Sequence, residues 1–149
     1  MRARLDRAPC PIARSTALLG DAWTPLLLRN VAFGQRRFGE LQRALHAPRA
    51  SLARRLARLV GAGLLEKRRY HERPARYEYH LTDKGRAAFD VLAAMWRWGE
   101  DWLFPERAAP VSLVDRRSGR AVRPLVVDEE TRAPLELSQL RARVERAGA

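Results

Sequence analysis

Apolar positions recur at helical spacing through the first third of the chain. Ile12, Thr16 and Leu19 share one face of a segment that opens with Cys10-Pro11 and closes at Gly20, which predicts a short helix with proline in its first turn and glycine at its end. Thr24-Pro25 offers a similar start, and Leu26 to Phe33 continues as a second helix stopped by Gly34. Phe38 to Leu45 is predicted as a third. In the fourth, after Pro48, residues Leu52, Leu56, Leu59 and Gly63 fall on one stripe. The period then shortens. Leu64 to Tyr70 and Arg76 to Leu81 carry β-formers on either side of Glu72-Arg73-Pro74-Ala75, the pattern of a two-stranded hairpin with an exposed turn.

Helical spacing returns at Thr82-Asp83-Lys84-Gly85 and runs to Leu103 and Phe104 as a long fifth helix. It carries two adjacent apolar stripes, Phe89/Leu92/Trp96/Leu103 and Val91/Met95/Trp98/Trp102. A helix apolar over so much of its circumference needs cover on two sides. Pro105 ends it, and Glu106 to Pro110 reads as a linker. Beyond that, Val111 to Val114 and Val122 to Val127 are expected to pair across Arg116 to Arg120, and Leu135 to Ala147 is helix-permissive but short. No internal repeat is visible. The fold class expected is mainly α with a small β-hairpin, divided into an N-terminal arm (1–9), a domain over 10–104 and a C-terminal extension over 105–149.

Charge sharpens the picture. The 149 residues carry a formal net charge of +12, and the stretch from Gln35 to Arg76 holds 12 basic and 3 acidic side chains. An excess so concentrated is a local patch suited to a polyanion, as nucleic-acid binding requires. Opposite its leucine stripe the fourth helix shows Ala50, Arg54, Ala57 and Gly61, with Arg49, Ser51, Arg55 and Arg58 at the flanks. Small residues let a backbone approach DNA closely, arginine can bind guanine O6 and N7, and alanine can meet a thymine methyl. The plainer reading is a solvated basic face. In the hairpin, Lys67, Arg68 and Arg69 are candidates for phosphate contact, and Arg73 or Arg76 for entry into a narrow minor groove. Arg36 and Arg37 either lie near the DNA backbone or fix the turn before the third helix.

Several pieces together resemble the HxlR family of bacterial regulators: Cys10-Pro11-Ile12, Gly20-Asp21-Ala22-Trp23-Thr24, Arg36-Arg37-Phe38-Gly39-Glu40-Leu41, Arg55-Leu56 with Leu59, Gly63-Leu64-Leu65, Tyr77 through Gly85, and Trp98-Gly99. The resemblance implies a winged helix-turn-helix with added N- and C-terminal dimerisation helices. It further implies a homodimer on double-stranded operator DNA, the fourth helix in the major groove and the hairpin as wing. The partner subunit would then cover the second side of the long helix, with Ile12, Leu19, Val91, Met95, Trp98 and Trp102 at the interface. Some relatives extend into a cysteine-bearing ribbon, but the corresponding turns here, Asp115 to Gly119 and Asp128 to Thr131, have no thiol.

Cys10 is the only cysteine, so one chain forms no disulfide, and a reducing cytoplasm is the expected setting. In the family a cysteine at this place serves some members as a sensor of oxidants or electrophiles; Cys10 matches that place, beside the reading that it is inert packing. A small-molecule effector is the other candidate input. His46, His71 and His80 are dispersed, no phosphate loop or zinc-protease motif occurs, and no metal, cofactor or catalytic role is expected. No run approaches the ~18 apolar residues of a membrane span. Two alternatives stand beside specific operator binding: a sequence-indifferent architectural DNA binder, and an interaction module for an acidic partner.

Overall fold

The computed structural model describes residues 5–104 and 108–143. Arg2 and Arg4 of the arm, the Pro105 stop with the first linker residues, and the last positions of the Leu135-to-Ala147 segment lie outside them. Proline and glycine punctuate the helices as expected: α1 spans Pro11–Leu19, α2 Thr24–Ala32, α3 Phe38–Leu45 and α4 Arg49–Gly61. Strands β1 (Leu65–His71) and β2 (Arg76–Leu81) pair antiparallel, with a bulge between Arg69 and His71. Gly63, at φ +70, makes the turn from α4 into β1.

Leucines at helical spacing make the core. Leu27, Leu28 and Val31 of α2, Leu41 of α3, and Leu52, Leu56 and Leu59 of α4 close over Leu64 and Leu65 at the foot of the hairpin. Burying one leucine contributes about 1.5–3 kcal/mol, so this cluster outweighs any single polar contact in the domain. The polar contacts fix its orientation instead. Glu40 accepts the N–H groups of Arg36 and Arg37 at 2.9 and 3.0 Å, which closes the first turn of α3. The same two residues meet β2: the Tyr79 N–H donates to Arg36 O at 2.8 Å, and Arg37 bridges Glu78. They therefore act as a third, very short strand beside the wing.

The long fifth helix divides in two, α5 (Asp83–Ala87) and α6 (Phe89–Leu103), at the buried Ala88. Its start is as expected. Thr82 Oγ1 accepts the Gly85 N–H and donates to Gly63 O at 2.6 Å, tying the helix start to the end of α4. No residue of α6 is buried; Leu92 packs on the core and Phe89 sits edge-on to Phe33, while Val91, Met95, Trp98 and Trp102 are exposed.

The chain divides after Leu92 into two compact units, inside α6 rather than at position 105. In the second, the hairpin expected across Arg116 to Arg120 forms in shortened register, with a bridge from Val114 to Ala121 and the Val122 N–H donating to Leu113 O, and a second turn bridged Val127 to Pro134 follows it. The two turns are built alike. Asp115 Oδ1 accepts the N–H and hydroxyl of Ser118, as Asp128 Oδ1 does those of Thr131, and Gly119 and Arg132 then take positive φ. These bonds hold both carboxyls below the usual carboxylate range, the Ser118 and Thr131 N–H groups most strongly. The chain thus contains a short repeat, offset by 13 residues, that the sequence reading missed because only Val, Asp and a hydroxyl are shared. Among the described residues of the helix-permissive end, Leu137–Gln139 form a 3-10 turn.

Gly85 is the tightest point of the fold: a Cβ there would lie 2.1 Å from Leu64 O. Gly85→Ala is expected to cost about 1–3 kcal/mol by forcing α5 off the hairpin. Urea denaturation with an unchanged midpoint would show that this approach is not required.

Candidate nucleic-acid interface

Placing the leucine stripe of α4 in the core turns its other side outward. Arg49, Ala50, Arg54, Ala57 and Gly61 are exposed and Ser51 half-exposed, so small residues surround Arg54 as the sequence suggested. Arg54 makes no ion pair among the described residues. The Arg49 guanidinium lies 5.2 Å from the Phe38 ring centre, held near the start of the helix by cation–π attraction.

Arg55 and Arg58 go elsewhere. Arg55 Nη1 reaches Asp21 Oδ1 at 3.0 Å and Arg58 Nη1 reaches Oδ2 at 3.1 Å, while Arg58 Nη2 donates to Ala17 O and Leu18 O. Arg55 also lies over the Trp23 ring. Expected among the groove-facing residues, both have their guanidinium groups engaged by a carboxylate in the α1–α2 turn. Asp21 also accepts the N–H groups of Trp23 and Thr24 and the Thr24 hydroxyl, so it caps α2 while anchoring α4. Burial works to raise its carboxyl, but the Thr24 hydroxyl, the two backbone N–H groups and Arg58 together bring it below the usual range. Sequence reasoning named the motif but not this role. The signal was available: Asp21 is the only acid between Asp6 and Glu40.

In the hairpin the cations again sort into held and free. Arg37 Nε bonds Glu78 Oε1 at 3.0 Å and its guanidinium lies 4.6 Å from the Tyr70 ring centre, so the turn-fixing alternative describes it. That bond is the first cause keeping Arg37 charged and the Glu78 carboxyl low. Arg68 pairs with Glu66, and Arg69 donates to His71 O and Glu72 O, bracing the tip. Lys67 Nζ stands 4.0 Å from the Tyr77 ring centre. Arg36, Arg73 and Arg76 are exposed. The three histidines have separate places: His46 caps α3, His71 Nδ1 lies 2.9 Å from Pro74 O, and His80 is 3.4 Å from Glu78.

A cleft of about 630 Å³ opens between α3, the first residue of α4 and the wing. Arg43 lines it together with Arg37, Arg49, Lys67 and Arg76. Arg43 was not singled out in the sequence, since it stands alone on a helix with only one other charge. Of the expected interface residues, Ile12 is 76% exposed, Trp98 58% and Trp102 70%, whereas Leu19 packs on its own core. Cys10 is exposed at the start of α1 and its side chain makes no capping bond. Among the described residues no helix is long and apolar enough to cross a membrane.

A tri-helical core with a basic fourth helix and an antiparallel wing defines a winged helix-turn-helix, a DNA-binding architecture. The HxlR-like helix-turn-helix family matches residues 18–107, and the chain belongs to that family of transcriptional regulators. It is 37% identical over 116 residues to the HTH-type transcriptional regulator Rv3095 of Mycobacterium tuberculosis, covering 78% of this chain and 73% of that protein. The crystal structure of PA1607, described as a transcription factor, matches 95% of this chain and 99% of its own at TM-score 0.85 and 38% identity. The reduced form of the redox regulator HypR matches 61% of this chain and 91% of its own, at TM-score 0.58 and 28% identity.

Asp21→Asn leaves two arginines without their anion and is expected to destabilise the fold by about 1–3 kcal/mol. Because the folded carboxyl lies below its unfolded value of about 3.9, the stabilisation is present above that pH and lost as pH falls through the folded value. Denaturation midpoints compared at pH 7 and pH 3 should therefore separate the variant from wild type at pH 7 and show a narrower gap at pH 3. An equal gap at both would remove Asp21 from this role.

Proposed function

We propose that this regulator binds a specific inverted-repeat operator as a homodimer, with α4 in the major groove and the hairpin tip at the adjacent minor groove. The observation that carries this is the split among cations. Arg49 and Arg54, which make no ion pair among the described residues, sit among Ala50, Ser51 and Ala57, while Arg55 and Arg58 are withdrawn to Asp21. A helix whose free cations sit among small residues suits base readout better than a uniformly basic coat would. Lys67 is assigned to phosphate, and Arg73 and Arg76 to the wing contact. Arg54→Ala should lose ~1–3 kcal/mol on the preferred site and relax one base position, whereas Lys67→Ala should weaken all sequences alike and lower the salt slope by about one unit. Identical behaviour of both variants on cognate and random duplexes, read by fluorescence anisotropy, would leave only the architectural reading.

Dimerisation is assigned to the Val91/Met95/Trp98/Trp102 face of α6, supported by its exposure, and to Ile12 on α1. Related half-sites would lie about 34 Å apart in successive major grooves. Trp98→Glu should yield monomer or insoluble protein; sedimentation of a soluble, unchanged dimer would refute the interface. On this reading DNA binding and dimerisation belong to residues 10–104, with 105–149 as an extension.

Cys10 is the proposed entry point for a redox or electrophile signal, favoured by its exposure and by the likeness to a redox regulator. Operator affinity should fall on mild peroxide treatment of wild type and stay constant for Cys10→Ser. Equal wild-type affinity before and after treatment would assign the input to a small-molecule effector instead.

A further inference from the structure

We propose that the cleft between α3, the start of α4 and the wing is a phosphate seat, with Arg43 and Arg76 as its principal ligands. Five cations line it, Arg37, Arg43, Arg49, Lys67 and Arg76, against one carboxylate, Glu40. Glu40 is already occupied by the N–H groups of Arg36 and Arg37, and Arg37 by Glu78. Four cations therefore face the cleft with no ion pair among the described residues. Two of them are held over rings, Arg49 over Phe38 and Lys67 over Tyr77, so their long side chains lose little further freedom when an anion arrives. Tyr70, Tyr77 and Tyr79 also line the cleft, and phenol hydroxyls can donate to phosphate oxygens. Mutual repulsion of clustered cations in a concave site is relieved by a phosphate, whether a DNA backbone phosphodiester or a free phosphate ester. The DNA source rests on the operator-binding reading above; the seat itself does not.

The test uses full-length wild type, Arg43→Ala and Arg76→Ala, each first shown by thermal melting to remain folded, which their surface positions favour. Affinity for a random-sequence duplex is measured against potassium chloride concentration, and binding of inorganic pyrophosphate by calorimetry at fixed ionic strength. Each substitution is expected to weaken the duplex several-fold and to reduce the slope of log affinity on log salt by about one unit. That result without pyrophosphate binding identifies the DNA backbone as the source. Pyrophosphate binding that either substitution abolishes identifies a free phosphate ligand. A wild type that binds pyrophosphate through Arg43 but no duplex would keep the seat and discard the operator reading. Duplex affinity, salt slope and pyrophosphate binding all unchanged in both variants would overturn the proposal.

Discussion

The fold turns on one half-buried carboxylate. Asp21 sits where α1 gives way to α2, and its donors include the backbone beneath it, the Thr24 hydroxyl, and two arginines one turn apart on α4. Charge-assisted bonds of this kind are about twice as strong as neutral ones and set direction as well as distance. The leucine stripe holds α4 against α2 and α3 and turns its other side outward. The ion pairs of Arg55 and Arg58 add directional contacts to that packing and tie α4 to the α1–α2 turn. Arg54, directly before Arg55 in sequence, leaves the helix on the exposed side, away from the two restrained arginines.

A second restraint acts on the wing. Arg37 reaches Glu78 and Tyr70, Arg36 accepts from the Tyr79 N–H, and Glu40 closes the turn beneath both. Exposed ion pairs of this sort contribute little stability alone. Here the pair is combined with a strand bridge and a ring contact, so it defines where the hairpin stands relative to α3. The basic stretch from Gln35 to Arg76 is thus two populations with opposite tasks: cations consumed inside the protein to hold α4 and the wing, and cations left over for a polyanion.

This division explains what the sequence did and did not disclose. Helix starts and stops were legible because they act locally, proline and glycine through the backbone, as at Pro11 and Gly63, and threonine through its hydroxyl, as at Thr24 and Thr82. The core was legible because Leu52, Leu56 and Leu59 share a face at 3.6-residue spacing. The ion pairs of Arg55 and Arg58 were not legible because spacing gives the angle at which a side chain leaves the helix, while its partner is a carboxylate 34 and 37 positions away. Arg43 was overlooked for the converse reason: one charge on an ordinary amphipathic helix gains meaning only when the wing folds over it. The repeated turns of the extension were hidden by chemistry that tolerates substitution, serine or threonine and glycine or arginine meeting the same backbone demand.

Those turns also bear on how the extension holds itself together. A small unit with scant apolar burial usually relies on a metal or disulfide. In this one Asp115 with Ser118, and Asp128 with Thr131, close each turn by hydrogen bonds from within, and Arg97 and Arg123 tie its other end through Pro124 O and Asp101. Thiolates must lose protons to bind metal, which couples such a ribbon to metal supply and redox state. Carboxylates already ionised by their own turns carry no such coupling. The turns of this unit therefore close without a thiol, through groups whose charge does not depend on redox state.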